Sequence, residues 1–514
     1  MAAFASLLGV LLIAVLLAAA ARRLGAPYPA FLALGGALLA FVPGAPKFTI
    51  DPEVALALFV APVLLDAAYD TSLRDLRENW IAVGSLSVVC VVLTTATVGF
   101  VVRALVPAIP WAAAFALGAI VSPPDAAAAT AVLRSLRPPY RILKILEGES
   151  LLNDASALLI YRLAVGAVAM HAFSTQALVP TLGLVLIGSV AAGLALSWVM
   201  LWVTRTICDV PTAIIVQFVG TFGVWIVADR LGLSSVLTTV TFAMSVARRA
   251  PATTPARIRI PSYAVWESAV FVLNVLAFVF IGLQLRPILQ SLAPDVRTRY
   301  LLVAAAVVAT VILVRIAWVM THNTLARSRI RRVGFHPPRP MSPPTVGSGL
   351  VISWAGMRGI VSLAAALALP AGGPEGSFPY RDLIVLTAFA VVLGTLVLQG
   401  LTLRPLLRAL DLREDDPVGR EVDEARRRAL DAAYAALGDE RSPAALALRQ
   451  AFDARLNRGP EADPSQGELR ALVEARRVVF EMRAQDDIGD DAFHRLEEEF
   501  DWIEMGIGSR SSEG

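Results

Sequence analysis

Apolar stretches separated by short polar connections fill the chain from its start to about residue 411, and then the pattern stops. Most are close to the roughly 20 residues that a helix needs to cross the hydrocarbon of a bilayer. They predict spans near residues 3–21, 29–45, 53–70, 80–105, 111–133, 146–171, 178–204, 211–229, 234–248, 264–285, 300–320, 347–370 and 382–410. The first is read as a span and not as a cleaved leader, because Arg22 and Arg23 follow its apolar core instead of preceding it.

Two of the thirteen stretches carry residues that a regular helix cannot hold. Ser122-Pro123-Pro124-Asp125 sits in the middle of 111–133, and two adjacent prolines remove two backbone donors there. In 347–370, Gly347, Gly349, Gly356 and Gly359 surround Arg358. Irregular backbone at this depth is tolerated only inside protein or beside a wet cavity. Interruptions at corresponding positions of two halves point to a transporter built from inverted repeats with a midplane site. Spans 4–6 and 11–13 are the matching triplets.

Composition agrees with this reading. Of the 514 residues 56% are apolar, and the mean hydropathy is +0.66, too high for a soluble chain of this length. The net charge of +3 conceals a division: residues 412–514 hold 15 basic and 25 acidic residues, which leaves 30 basic and 17 acidic in 1–411. A basic membrane part does not imply a nucleic-acid partner. Alternate connections differ sharply in arginine and lysine, 18 against 7, and the richer set includes 321–346 with Arg327, Arg329, Arg331 and Arg332. By the positive-inside rule that set is cytoplasmic, so the N-terminus lies outside and the acidic tail inside. In the tail, Ser442-Pro443 reads as a helix start, and Phe493, Leu496, Phe500 and Ile503 recur at helical spacing. Cys90 and Cys208 read as packing residues. His171, His322, His336 and His494 fall in expected loops or the tail, so no zinc-type site is expected.

The chemistry concentrates in Leu146 to Arg162, LEGESLLNDASALLIYR. A charged residue at mid-bilayer costs on the order of 3 kcal/mol, so such residues in a span are a functional hypothesis by default. On a helix Ser150 and Asp154 lie four apart, as do Glu149 and Asn153, giving one polar face. A carboxylate kept from bulk water can hold a proton or a small cation, but not both. If only its occupied forms change sides, the site exchanges one for the other. Asp154 is the candidate carrier, with Ser150 an oxygen ligand one turn away. Asp125 either caps the second half-helix or touches the ion through water. Carbonyls freed at Ser122, Pro123 and Pro124 are further oxygen ligands. Asp66, in VLLDAAYD, touches the ion only through another group, is an acid at the cytoplasmic mouth, or has an interfacial structural role. Glu149 and Arg358 are expected to form a buried ion pair, since either alone would be an unpaired charge. Arg162, Asp229, Glu267 and Arg315 are expected near span ends, where long side chains reach the interface.

SPPDAAAATAVL, LEGESLLNDASALL, SWAGMRGIVSLAAALALP and VLLDAAYDTSLRDLRENW together resemble the monovalent cation:proton antiporter family, which includes bacterial NhaP-type antiporters and animal sodium/proton exchangers. The resemblance covers roughly residues 1–411 and implies an all-α polytopic membrane protein. Its expected fold is about 13 transmembrane helices in inverted repeats with two crossed broken helices, followed by a helical cytoplasmic C-terminal domain at 412–514. It also implies a homodimer in the cell inner membrane, with core spans at about 80–171 and 300–411 moving as an elevator against dimerisation and connecting spans at about 1–70 and 178–285. The chain would be a transporter and not an enzyme, without a resident cofactor, its cargo being sodium or another alkali cation and the proton. Asp154 matches the cation and proton carboxylate, Asn153 its neighbour, Ser150 a ligand, Asp125 the unwound stretch, Asp66 the acidic third-span position, and Glu149 with Arg358 the stabilising ion pair. An Asn-Asp pair in place of two aspartates implies electroneutral one-for-one exchange. Pro124 stands where the family often has threonine, so only its backbone carbonyl can substitute. Potassium/proton exchange is the nearest alternative. A channel on a similar scaffold is another, and an intramembrane hydrolase using Asp125 and Asp154 as a dyad a third.

Overall fold

The computed structural model describes all residues except 1, 25–26, 43–50, 134–135, 137, 171–174, 208, 336–341, 371–377, 411, 413–416, 438–465 and 509–514. Every regular element among the described residues is helical. Over their described residues each of the thirteen predicted stretches is helical, eleven as continuous runs or nearly so and two as pairs of half-helices. Among the described residues, seven helices are long and apolar enough to cross a bilayer, and Leu8–Ala21, Tyr28–Leu39 and Trp111–Val121 are shorter apolar helices. Cys208, His171, His336 and the Ser442-Pro443 helix start lie outside the described residues.

Local sequence explains where helices begin. Asp51 accepts from Glu53 N at 2.9 Å and is followed by Pro52, opening Pro52–Tyr69. Asp209 accepts from Thr212 N at 3.0 Å ahead of Pro211, opening Val210–Arg230. Thr345 and Ser348 form a capping box at the start of Val346–Trp354.

Two expectations need correction, and one feature is new. Residues 321–333, read as loop from their charge, continue the helix Pro294–Val333, which runs 40 residues. The stretch THNTLARSRIRRV holds no proline or glycine; the helix ends at Gly334, whose φ is 87° and whose N–H bonds Ile330 O at 2.8 Å. His322 is therefore helical and not in a loop. Finally, Trp80–Leu105 widens into a π-helical turn at Ser85–Cys90, for which the sequence offers no signal.

Helices pack through small residues where they cross. Tyr28–Leu39 meets Ala256–Leu283 at Gly36 and Gly282, and a Cβ on either would strike the other helix's backbone. In lipid, where apolar side chains gain little by leaving their solvent, such backbone approach is a main source of helix association. Pro294–Val333 packs on Arg381–Leu410 and on the half-helix Val346–Trp354, while Trp111–Val121 packs on Tyr140–Met170. Cys90 is buried and free, as a packing residue would be.

In the described residues of the tail, Pro417–Leu437, Gln466–Ala484 and Asp490–Gly508 pack around a core of their own. Phe493, Leu496 and Phe500 are buried in its own core with Ile503 against them, on the face that their spacing predicts.

Candidate ion-binding site

The two breaks meet. Trp111–Val121 stops at Ser122 and the chain resumes as Ala126–Leu133; Val346–Trp354 stops at Ala355 and resumes as Ile360–Leu367. Asp125 N donates to Met357 O at 2.6 Å, joining the two unwound segments directly. The Asp125 carboxylate lies against Gly359, the residue that precedes Ile360–Leu367, at a place where any Cβ would collide with it. Only glycine permits that approach. It sets a negative group beside the N-terminal end of the other broken helix, the end with free N–H groups and positive partial charge.

Arg358 makes the complementary contact. It is buried, and its Nε donates to Val121 O at 3.0 Å and its Nη2 to Ser122 O at 3.4 Å, while Nη1 bonds Gly356 O. Its backbone N–H donates to Thr395 Oγ1 at 3.0 Å. The guanidinium thus covers carbonyls that the proline break leaves without helical partners, at the negative end of Trp111–Val121.

The expected Glu149–Arg358 ion pair is not formed. Glu149 pairs instead with Arg315: Nη1 donates to Oε1 at 2.5 Å and Nη2 to Oε2 at 2.8 Å, with both residues 1% exposed. Arg315 also donates to Ser353 O at 3.2 Å and Ile352 O at 3.1 Å, so it covers the carbonyl end of Val346–Trp354 as Arg358 covers that of Trp111–Val121. Gly356 leaves the room that the Arg315 stem occupies. The expectation failed because two arginines compete for one carboxylate, and Arg358 finds its partners in backbone oxygens. Arg315 is no interfacial residue. Ser87, in the π-helical turn, adds a bond to Glu149 O at 3.2 Å.

Asp154 and Asn153 face this crossing from Tyr140–Met170. Both are buried. Asn153 Nδ2 donates to Pro124 O at 2.8 Å, while its Oδ1 is buried without a partner in the structure. Asp125 directly follows Pro124, the residue whose carbonyl takes the Asn153 bond. Asp154, Asn153, Pro124 and Asp125 are therefore brought together, with Ser150 partly buried one turn before Asp154 on the same helix. The cluster offers carboxylate, amide and carbonyl oxygens to a hard cation and holds no nitrogen or sulfur ligand set. Asp66 stands on Pro52–Tyr69. It lines a cavity of about 1130 Å³ with Tyr69, Lys144, Glu147 and Arg259, and none of the residues clustered at Asp154 lines that cavity. Arg162 and Asp229 pair at 2.9 Å, each about half exposed, and Glu267 is exposed on the cavity wall.

Two broken helices that meet at their breaks, with half-helix ends of opposite polarity beside a buried acid, define a membrane transporter of the inverted-repeat kind. Residues 10–409 match the family described as sodium/hydrogen exchanger, transmembrane, and the chain belongs to that family. It is 34% identical over 415 residues to an uncharacterised Na(+)/H(+) exchanger of Mycobacterium bovis, covering 80% of this chain and 75% of that one. It is 29% identical over 392 residues to the sodium, potassium, lithium and rubidium/H(+) antiporter of Bacillus subtilis, covering 74% of this chain and 58% of that one. The solved structure of the sodium proton antiporter MjNhaP1 from Methanocaldococcus jannaschii shares the fold, with a TM-score of 0.59 at 17% identity over 80% of this chain and 99% of that one.

Proposed function

We propose that this chain exchanges an alkali cation, sodium first, for a proton, one for one, at a single site on Asp154. The observation that carries the reading is the burial of Asp154 beside Asn153 where the two unwound segments meet. Proton and cation compete for the same carboxylate, with Ser150, Asp125, the Pro124 carbonyl and the free Asn153 Oδ1 as further oxygens. Alternating access then couples the two fluxes. We assign the core to spans at about 80–171 and 300–411, moving against spans at about 1–70 and 178–285 in a homodimer of the cell membrane. In this reading the N-terminus is outside, the tail is cytoplasmic, and Asp66 is an acid on the inner approach.

The Bacillus subtilis relative's name includes potassium, lithium and rubidium, which supports a broader cation range as the second reading. Pro124, which offers only a carbonyl oxygen, is consistent with a loosely selective site. Purified protein in liposomes with a trapped pH dye separates these readings: added sodium should dissipate a preset proton gradient, and a lithium, potassium and rubidium series gives the order. Folded protein that responds to none of the four sinks the proposal. A membrane-potential dye checks the stoichiometry, since one-for-one exchange moves no net charge.

A further inference from the structure

A smaller cavity, of about 280 Å³, lies between the starts of three helices and the C-terminal part of a fourth, and shares no lining residue with the 1130 Å³ one. None of Pro124, Asp125, Ser150, Asn153 and Asp154 lines it. Ala82 and Leu86 come from Trp80–Leu105, Ile142 and Ile145 from Tyr140–Met170, and Val319 and Ala326 from Pro294–Val333, so most of the wall is apolar. Its charge has one sign. Arg141 and His322 are its ionisable groups, and no Asp or Glu is among the described residues that line it. Arg141 is held from one side: Nε donates to Asn79 Oδ1 at 3.1 Å, while Nη1 is buried without a partner among the described residues. The N-terminal ends of Tyr140–Met170 and Val346–Trp354, which reach the cavity at Pro139 and Thr345, add positive partial charge. The capping box of Thr345 and Ser348 uses hydroxyls and not a carboxylate, so no negative side chain offsets it there.

A buried guanidinium N–H that bonds nothing carries its full desolvation cost, and native proteins satisfy nearly all such groups. Water could bond Nη1 but has nothing to gain from the apolar wall. We propose that this cavity binds a small amphipathic monoanion, a medium-chain carboxylate whose chain covers the apolar wall and whose head takes the open edge of Arg141. The planar fork of a guanidinium matches a carboxylate, and His322 supplies a further polar group on the same wall. The volume lies just under the roughly 300–1,000 Å³ usual for small-molecule pockets, which suits a short chain and not a whole phospholipid. The ligand would sit at the start of the helix that carries Asp154, clear of the ion site.

The test is binding of radiolabelled octanoate to purified full-length protein, with unlabelled octanoate defining the saturable part. Wild type should show one saturable site per chain. Arg141→Gln should weaken it about ten-fold or more, through loss of a charge-assisted pair. Ala326→Phe, which keeps Arg141 and fills the cavity, should abolish it, and melting curves check that both variants are folded. Octanol has the chain without the charge and inorganic phosphate the charge without the chain; each should compete about ten-fold or more weakly than octanoate. No saturable binding to the wild type overturns the proposal, and so does binding that persists unchanged in folded Ala326→Phe. Equal competition by octanol would make the site a plain apolar hole, and equal competition by phosphate an anion site indifferent to the chain; either contradicts the proposal. A copurified phospholipid that octanoate displaces from wild type, and that Ala326→Phe lacks, overturns the choice of a small carboxylate. None of these readouts uses transport, so failure here leaves the antiport reading standing.

Discussion

The two breaks solve one problem with different residues. At residues 122–125 adjacent prolines make the interruption, and the freed carbonyls of Val121 and Ser122 are covered by an arginine from the other broken helix. At 355–359 glycines make it, and the carbonyls of Ile352 and Ser353 are covered by Arg315 from a continuous helix. Prolines withhold donors, so the first break has only acceptors to satisfy at its carbonyl end. Glycines permit close approach, so the second admits the Arg315 stem at Gly356 and the Asp125 carboxylate at Gly359. Arg315 alone also holds a carboxylate, Glu149. Arg315 is thus the structural charge of the pair, whereas Arg358 and Asp125 connect the breaks to each other.

That distinction can be broken in order of expected effect. Arg315→Ala leaves Glu149 buried and unpaired and should cost about 3–5 kcal/mol of stability. Adding Glu149→Gln should recover part of it; thermal unfolding of the single and double variants in detergent would show whether the two residues are coupled. Arg358→Lys keeps the charge but loses the planar fork, and should cost about 1.5–3 kcal/mol with a matching fall in exchange. Glu149→Gln should not rescue it, and rescue would restore the pairing that the sequence suggested. Gly359→Ala should displace the Asp125 carboxylate, at about 1–3 kcal/mol, and slow exchange more than it lowers the melting temperature.

The smallest effect lies in the tail. Burial works to raise the Asp491 carboxyl, but the Lys144 ammonium and the bonds from Lys144 and Tyr140 outweigh it and hold it below the usual carboxylate range. A depressed folded value means that stabilisation is fully present above the unfolded carboxylate value, about 3.9, and is lost as pH falls through the lower folded one. The melting temperature should therefore carry no Asp491 contribution to its slope from neutral pH to about 5. Below about 4 the wild type should lose roughly 1 kcal/mol more than Asp491→Asn does. Parallel melting curves of the two proteins down to pH 3 would contradict this.

Much of this was legible in the chain. Prolines and clustered glycines inside apolar stretches mark breaks because backbone chemistry alone forbids a regular helix there. Asp154 and Asn153 stand out because polar groups in such a stretch need an interior partner. Arg315 did not stand out: ILVRIAW fixes neither the helix's rotation nor what lies opposite, and only the fold brings Glu149 to it. Charge misled at 321–333, where arginines on a helix running past the apolar stretch look like a loop. Asp66 was legible as an acid within a span, but its place on a cavity wall depends on helix packing.

The central claim is that one carboxylate at the crossing carries both ions. Asp154→Asn keeps the size of the side chain, exchanges one acceptor oxygen for an NH2 donor and removes the charge and the titratable proton, so it should insert, fold and melt within a few degrees of the wild type. Reconstituted at equal density, it should show no cation-driven dissipation of a proton gradient with sodium, lithium, potassium or rubidium. Exchange at a substantial fraction of the wild-type rate with any of them would contradict the account.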